Sequence, residues 1–78
     1  GRVTVRGDVL VETLNSRFGL DYPEDEVDTV SGLVWNELGR LPVIGDEVQV
    51  EGQPLLRVEA MEKRAVTRVS LTLPGGEA

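Results

Sequence analysis

The chain predicts an α+β fold in which two helices lie on one face of a small antiparallel sheet. Two segments with helical spacing of apolar residues, 9–18 and 29–38, fill most of the first half. Segments of alternating apolar and polar residues follow from residue 47, joined by links short enough for hairpins. Together with a short β-like run at the start, they give the order β-α-α-β-β-β, which is typical of α+β domains.

The first strand and the first helix are joined by a turn. Residues 3–6 form the β-like run, which ends at Gly7 and Asp8, a turn signal that also offers Asp8 as a helix N-cap. Over residues 9–18 the apolar side chains recur on one helical stripe, and Asn15 is expected to lie off that stripe.

Each helix is followed by a glycine placed to end it in the left-handed conformation. Gly19 ends the first helix, and Leu20 is expected to pack back on it. The second helix begins near Thr29 and ends at Gly39. Gly32 costs this helix up to about 1 kcal/mol relative to alanine. We therefore expect another part of the chain to approach Gly32 closely.

Three strands are predicted after the helices, at residues 47–51, 56–60 and 66–73, with turns at 52–54 and 62–64. The apolar residues Val66 and Val69 are three apart rather than two, which predicts a bulge around Thr67 and Arg68. Residues 1–73 are expected to form one domain, and residues 74–78 a flexible tail.

Composition excludes several classes of function. The 78 residues contain no Cys and no His, which excludes a disulfide framework, a zinc site and a catalytic triad. Eight Lys and Arg against fourteen Asp and Glu give a net charge of −6, which argues against nucleic acid and anionic membranes as partners. No apolar run is long enough to enter and cross a membrane. No spacing singles out a carboxylate pair, so we expect no catalytic residue and no enzyme.

The most specific pattern is a set of turn and cap residues in the second helix and the loop after it: Thr29, Gly32, Gly39, Arg40, Pro42, Gly45 and Asp46. With Leu14-Asn15 and Phe18-Gly19-Leu20, this pattern resembles the transporter-associated domain. That CorC/HlyC domain follows a CBS pair in CorC-like magnesium and cobalt efflux proteins and in hemolysin-like membrane proteins. The resemblance covers about residues 5–73, and Trp35 is larger than the pattern leads one to expect.

The resemblance implies a parent protein with a membrane domain and a CBS pair, and places this domain on the cytoplasmic face of the membrane. Cut from that protein, the domain is expected to be soluble. The implied function is a non-catalytic regulatory or interaction domain that modulates transport or efflux of Mg²⁺ or Co²⁺. Its expected partners are the other domains of the parent and a second copy in a homo-oligomer, with residues 66–73 as a strand edge for pairing.

The resemblance also implies a fold akin to FAD-binding domains of the PCMH type. Fold kinship does not by itself imply a bound ligand. We therefore assign no cofactor and no metal ligand. A module that binds FAD or an adenine nucleotide remains the alternative function.

Three features have both a structural and a functional interpretation. The acidic run at residues 21–28 is either a solvated loop or a cation sensor. Arg40 either belongs to a turn or grips a phosphate or a partner carboxylate. Trp35 is either a partly buried core residue or an interface anchor. In each case we favour the structural interpretation.

Overall fold

A computed structural model describes residues 1–73, and the expected tail at residues 74–78 lies outside them. The elements are β1 (Arg2–Arg6), α1 (Val11–Phe18), α2 (Val30–Leu38), β2 (Glu47–Val48), β3 (Leu56–Glu62) and β4 (Ala65–Thr72). The predicted order and the α+β class are confirmed. Among the helices of the described part, none is long and apolar enough to cross a membrane.

The four strands form one antiparallel sheet in the order β1-β4-β3-β2. Because the first strand pairs with the last, β4 lies inside the sheet between β1 and β3. The expectation that residues 66–73 offer a free edge is therefore wrong, since both edges of β4 are already hydrogen-bonded. The strands at the two ends of the order are β1 and β2.

The β3–β4 ladder contains two irregularities. Between Ala60↔Arg68 and Met61↔Val66, Thr67 is an extra residue on β4, where the sequence predicts a bulge. Glu59 is an extra residue on β3, which the sequence analysis missed. With one extra residue on each strand, Met61 and Val66 return to the face that packs on the core.

Both helices cover one face of the sheet and enclose a single core. The buried apolar side chains are Val11, Leu14, Tyr22, Val30, Leu33, Val34, Val48, Leu56, Val58, Val66, Val69 and Leu71. The starts of the helices are tied by backbone bonds, because the Val11 N–H donates to Asp28 O at 2.8 Å and the Val30 N–H donates to Val9 O at 2.9 Å. This junction fixes where both helices begin.

That junction explains a correction at the start of α1. The helix begins at Val11 rather than Val9, and Leu10 occupies the N-cap position without a side-chain hydrogen bond. Asp8 is not the cap, and its carboxylate instead forms an ion pair with Arg6 at 2.8 Å. The backbone of residues 9 and 10 is used to pair with the start of α2. Both helices do end as predicted, at Gly19 and Gly39 with φ of 67° and 70°.

Strand β2 is shorter than predicted, with two residues rather than five. After Val48 the chain turns at Gly52, whose φ is 80°. The Gln49 amide donates to Val50 O at 3.2 Å and to Gln53 O at 2.7 Å, which holds this turn closed. The side chain of Gln49 thus stabilises the turn where the sequence pattern alone would continue the strand.

The close approach expected at Gly32 lies at Gly7 instead. A Cβ on Gly32 would meet Thr29 Oγ1 at 3.4 Å, which is ordinary van der Waals contact. A Cβ on Gly7 would lie 1.8 Å from the carbonyl oxygen of Val66. Gly7 also donates its N–H to Thr67 O at 3.0 Å, so only glycine allows β1 to pass this close to β4.

Candidate functional site

Most of the motif residues form one rigid turn between α2 and β2, residues 39–46, which we call the clamp loop. Arg40 donates from both terminal nitrogens to the two carboxylate oxygens of Asp46, each at 2.9 Å. Asp46 also accepts the Val43 N–H at 2.8 Å. A planar guanidinium and a carboxylate bonded in this way hold the two ends of the loop at one fixed geometry.

Pro42 and Gly45 fix the path of the backbone through the clamp loop. Pro42 is fully buried. Gly45 has a φ of 97°, a left-handed value that favours glycine, and its N–H donates to Val58 O at 2.8 Å. Gly45 therefore ties the clamp loop to β3.

Electrostatics in the clamp loop follow from the same contacts. The pKa of Asp46 is below its ordinary value, mainly because its carboxylate accepts hydrogen bonds from the Arg40 guanidinium and secondly because it accepts one from the Val43 N–H. The Asp46 carboxylate in turn raises the pKa of Arg40. Both groups stay charged and paired at neutral pH. Arg40 is thus engaged inside the domain, in agreement with its structural interpretation.

The remaining motif residues, Thr29 and Gly32, lie at the start of α2. Thr29 is the N-cap, and its Oγ1 accepts the Gly32 N–H at 3.1 Å. The Ser31 N–H donates to Gly7 O at 2.8 Å, and the Leu33 N–H donates to Thr29 O at 2.9 Å. The amides with which a helix N-terminus would bind a phosphate are thus engaged inside the domain.

Trp35 is partly buried, as predicted. Its indole Nε1 donates to Arg64 O at 3.2 Å, in the turn between β3 and β4. Lys63 in this turn has a φ of 56°, uncommon for a residue other than glycine. Trp35 therefore braces the hairpin turn against α2, and no part of this contact requires a partner molecule.

The acidic connector, residues 21–28, is held to α1 by Asn15. Asn15 is only 7% exposed, contrary to the prediction that it lies off the buried stripe. Its amide donates to Tyr22 O at 2.9 Å and to Glu24 at 2.8 Å, and its oxygen accepts the Tyr22 N–H at 2.9 Å. The one signal that could have found it is the Leu14-Asn15 pair within the family pattern.

Tyr22 anchors the acidic connector to the core. Its ring is buried, and its hydroxyl donates to Pro54 O. Burial raises the pKa of this hydroxyl to about 12. The acidic side chains of the connector remain exposed, as expected of a solvated loop: Asp21, Glu24, Asp25, Glu26 and Asp28. Within residues 1–73, no group of three or more His, Cys, Asp or Glu is placed to hold a metal ion.

A second polar cluster, on the outer face of the sheet, was missed by the sequence analysis. The buried Ser70 hydroxyl donates to Glu59 at 2.6 Å, and Arg2 donates to Glu59 at 2.7 Å and to Ser70 at 3.1 Å. The hydrogen bond from Ser70, followed by that from Arg2, holds the pKa of Glu59 below its ordinary value, against the opposing effect of desolvation. No sequence signal locates this cluster, because Glu59 sits at the unpredicted bulge.

The polar groups are thus matched internally. In the part of the chain that the structure describes, every buried side-chain nitrogen and oxygen has a hydrogen-bond partner. The motif residues position one another, and the sequence-predicted site residues do not converge on a cavity. The motif residues therefore build a rigid surface. Its two charged residues, Arg40 and Asp46, bind each other.

Comparison with known proteins identifies the class of domain that this geometry represents. The chain belongs to the transporter associated domain family, CorC_HlyC, which it matches over residues 1–75. This confirms the resemblance drawn from the motif.

The relatives in sequence are named as efflux proteins. The chain is 36% identical over 75 residues to the magnesium and cobalt efflux protein CorC of Vibrio cholerae, covering 96% of this chain and 25% of the relative. It is 32% identical over 71 residues to the protein of the same name from Escherichia coli, covering 91% and 24%. The chain thus spans about a quarter of the length of the curated relatives that it matches.

Solved structures show the same fold. A putative Mg²⁺ and Co²⁺ transporter (CorC) associated region from Neisseria meningitidis superimposes with a TM-score of 0.82 at 33% identity, covering 92% of this chain and 88% of that one. A hemolysin domain from Enterococcus faecalis gives a TM-score of 0.79 at 27% identity, covering 92% and 87%.

Proposed function

We propose that this chain is a non-catalytic regulatory domain of a longer CorC-like protein, and that it modulates transport or efflux of Mg²⁺ or Co²⁺ by docking. The observation that carries this proposal is the closed clamp loop, in which Arg40 and Asp46 satisfy each other. A domain whose most specific residues build a rigid surface is suited to binding another protein surface.

The comparisons support the choice of parent. The relatives are named magnesium and cobalt efflux proteins, and this chain matches only about a quarter of their length. We propose that the rest of the parent contains a membrane domain and a CBS pair, and that this domain sits on the cytoplasmic face of the membrane. Its partners are then the other domains of the same chain.

Removal of the domain from the longer protein tests the proposal. Release of Mg²⁺ and Co²⁺ is measured in cells or proteoliposomes that contain either the intact protein or a version lacking this domain. We expect the truncated protein to reach the membrane in equal amount and to differ in transport rate or in its dependence on cation concentration. An unchanged rate and an unchanged concentration dependence would contradict the regulatory role.

Binding of FAD or an adenine nucleotide is the alternative drawn from the resemblance. Calorimetric titration of the chain with FAD and ATP, with an absorbance scan of the purified protein, tests it. Saturable binding or a flavin absorbance would favour the alternative. The internal engagement of the α2 amides supports the docking role instead, because a pyrophosphate is commonly bound by free amides at a helix N-terminus.

A homo-oligomer is also proposed, with pairing at a strand edge. Since β4 is internal, the edges for such pairing are β1 and β2. In an antiparallel β1–β1 pair centred on Thr4, Arg2 of one copy would face Arg6 of the other, which disfavours this arrangement. Sedimentation of the chain over a range of concentrations would show whether a dimer forms.

A further inference from the structure

We propose that the clamp loop displays Leu41, Val43 and Ile44 as a docking surface for an apolar groove with a rim of Lys or Arg on the remainder of the longer chain. The inference rests on the proposed function and names the surface that performs it. The motif residues fix the conformation of the loop, and the three residues between them would contact the partner.

Exposure of these three side chains is the first observation. Leu41 is 42% exposed, Val43 is 54% exposed and Ile44 is 64% exposed. Single exposed apolar side chains are ordinary on protein surfaces. Here three exposed apolar side chains fall within four consecutive residues, and apolar side chains concentrated in this way mark a site of interaction more often than scattered ones do.

Rigidity of the loop is the second observation. The Arg40–Asp46 ion pair closes the loop. The Val43 N–H donates to the Asp46 carboxylate, and the Val43 carbonyl oxygen accepts the Asp46 N–H. The Gly45 N–H donates to the carbonyl oxygen of Val58. These bonds involve the backbone of Val43 and leave its side chain free to project. Because the loop is already ordered, it loses little conformational entropy when a partner binds. A few side chains can then contribute a useful binding free energy.

Charge selects the partner. Arg40 is neutralised by Asp46, while Glu37 and Glu47 near the ends of the loop are exposed acids. The whole chain carries a net charge of −6. At this surface the same acidic loop of a second copy and an anionic membrane would both be repelled, whereas an apolar groove with a basic rim is complementary to an apolar loop with acidic flanks.

Cysteine labelling in the longer protein tests the surface directly, since this chain has no cysteine of its own. Ile44→Cys is compared with Leu10→Cys, at a side chain that is 47% exposed and lies outside the clamp loop, at the start of α1. Maleimide modification of each is followed by mass spectrometry in the 78-residue chain and in the longer protein. We expect Ile44→Cys to react about tenfold more slowly in the longer protein, which corresponds to about nine-tenths of the molecules docked.

Three outcomes would overturn the inference. One is equal reactivity of Ile44→Cys in the short chain and in the longer protein. Another is protection in the short chain that grows with its own concentration, which would make a second copy the occupant. The third is protection by vesicles of anionic phospholipid, which would make a membrane the occupant. An increase in reactivity of the docked Ile44→Cys at high salt, with Leu10→Cys unchanged, would support the basic rim.

A double variant separates this inference from the proposed function. Val43→Ser with Ile44→Ser should alter cation transport in the longer protein as removal of the whole domain does. If removal alters transport and the double variant does not, the docking surface is wrong and the regulatory role stands. If removal itself has no effect while Ile44→Cys is protected, the domain docks there but does not regulate.

Discussion

Asp46 illustrates how one carboxylate can hold a turn through two kinds of donor. It accepts two hydrogen bonds from the Arg40 guanidinium and one from the backbone N–H of Val43. Both donors favour the charged form, so its pKa is lower in the folded chain than in the unfolded chain. The stability that it contributes is present above its unfolded pKa and is lost as the pH falls through its folded pKa.

We therefore predict that Asp46→Asn lowers the free energy of unfolding at pH 7 and has progressively less effect as the pH falls below about 4, where the carboxyl of the unfolded chain becomes protonated. Urea denaturation of both proteins from pH 7 to pH 3 measures the difference. Asp25→Asn, a change at an exposed carboxylate of the acidic connector, is the control. A difference between Asp46→Asn and the parent that is constant across this range would contradict the assignment.

Tyr22 predicts the opposite pH dependence. Burial raises its pKa to about 12, and an unfolded tyrosine titrates near about 10. The contribution of the Tyr22 hydroxyl to the free energy of unfolding is complete below the pKa of the unfolded chain and is lost as the pH rises toward 12. Tyr22→Phe removes this titration and the hydrogen bond to Pro54, at a cost near neutral pH of about 1 kcal/mol.

Urea denaturation between pH 9 and pH 11.5 tests this prediction. The parent should lose stability faster than Tyr22→Phe as the pH rises, so the two free energies of unfolding should converge. Parallel curves for the two proteins would show that the Tyr22 hydroxyl ionises as readily when folded as when unfolded.

At the scale of elements, two glycines distinguish a steric requirement from a conformational preference. Gly7 passes β4 so closely that a Cβ would overlap the Val66 carbonyl, whereas Gly32 has ordinary space around it. Gly7→Ala should destabilise the fold by about 1–3 kcal/mol or more, the range of overpacking. Gly32→Ala should stabilise it by about 0.5–1 kcal/mol through helix propensity.

Chemical denaturation of the two alanine variants provides a matched comparison, since each adds one methyl group. The signs of the two changes should be opposite. Destabilisation by Gly32→Ala comparable to that by Gly7→Ala would mean that the helix start is packed more tightly than the structure shows.

Element boundaries set by local chemistry could be predicted, and those set by distant partners could not. Gly19 and Gly39 end their helices because a left-handed glycine is a local signal. The apolar spacing predicts a start of α1 that is two residues too early, because Leu10 pairs with Thr29 at the start of α2. The internal position of β4 likewise depends on β1, the strand farthest from it in sequence.

The same distinction applies to the candidate site. The turn residues of the clamp loop could be recognised from their types and spacing, and the structure explains each by a local contact. The spacing of apolar residues does not predict the burial of Asn15 or of Ser70, since it depends on contacts with Tyr22 and Glu59 that form only on folding. For Asn15, only the family pattern offers a signal. The bulge at Thr67 could be predicted because it leaves a three-residue spacing in the sequence.

At the scale of the whole molecule, charge is unevenly distributed. The acidic connector carries exposed carboxylates on one part of the surface. On the outer face of the sheet Glu59 is paired with Arg2 at 2.7 Å and lies 3.8 Å from Arg57. The overall charge of −6 therefore comes largely from outside the sheet face, where carboxylates repel one another and dissolved cations screen them.

We predict that Mg²⁺ acts on this chain as a screening ion and does not occupy a site. A Mg²⁺ site needs oxygen ligands that converge at about 2.0–2.1 Å with near-octahedral geometry. In the acidic connector, the Glu24 carboxylate is held in place because it accepts a hydrogen bond from the Asn15 amide at 2.8 Å. The thermal midpoint should therefore rise equally in MgCl₂ and in NaCl at matched ionic strength. A saturable increase specific to Mg²⁺, abolished by Glu24→Gln and kept in the control Glu62→Gln at the exposed end of β3, would instead make the acidic connector a cation sensor.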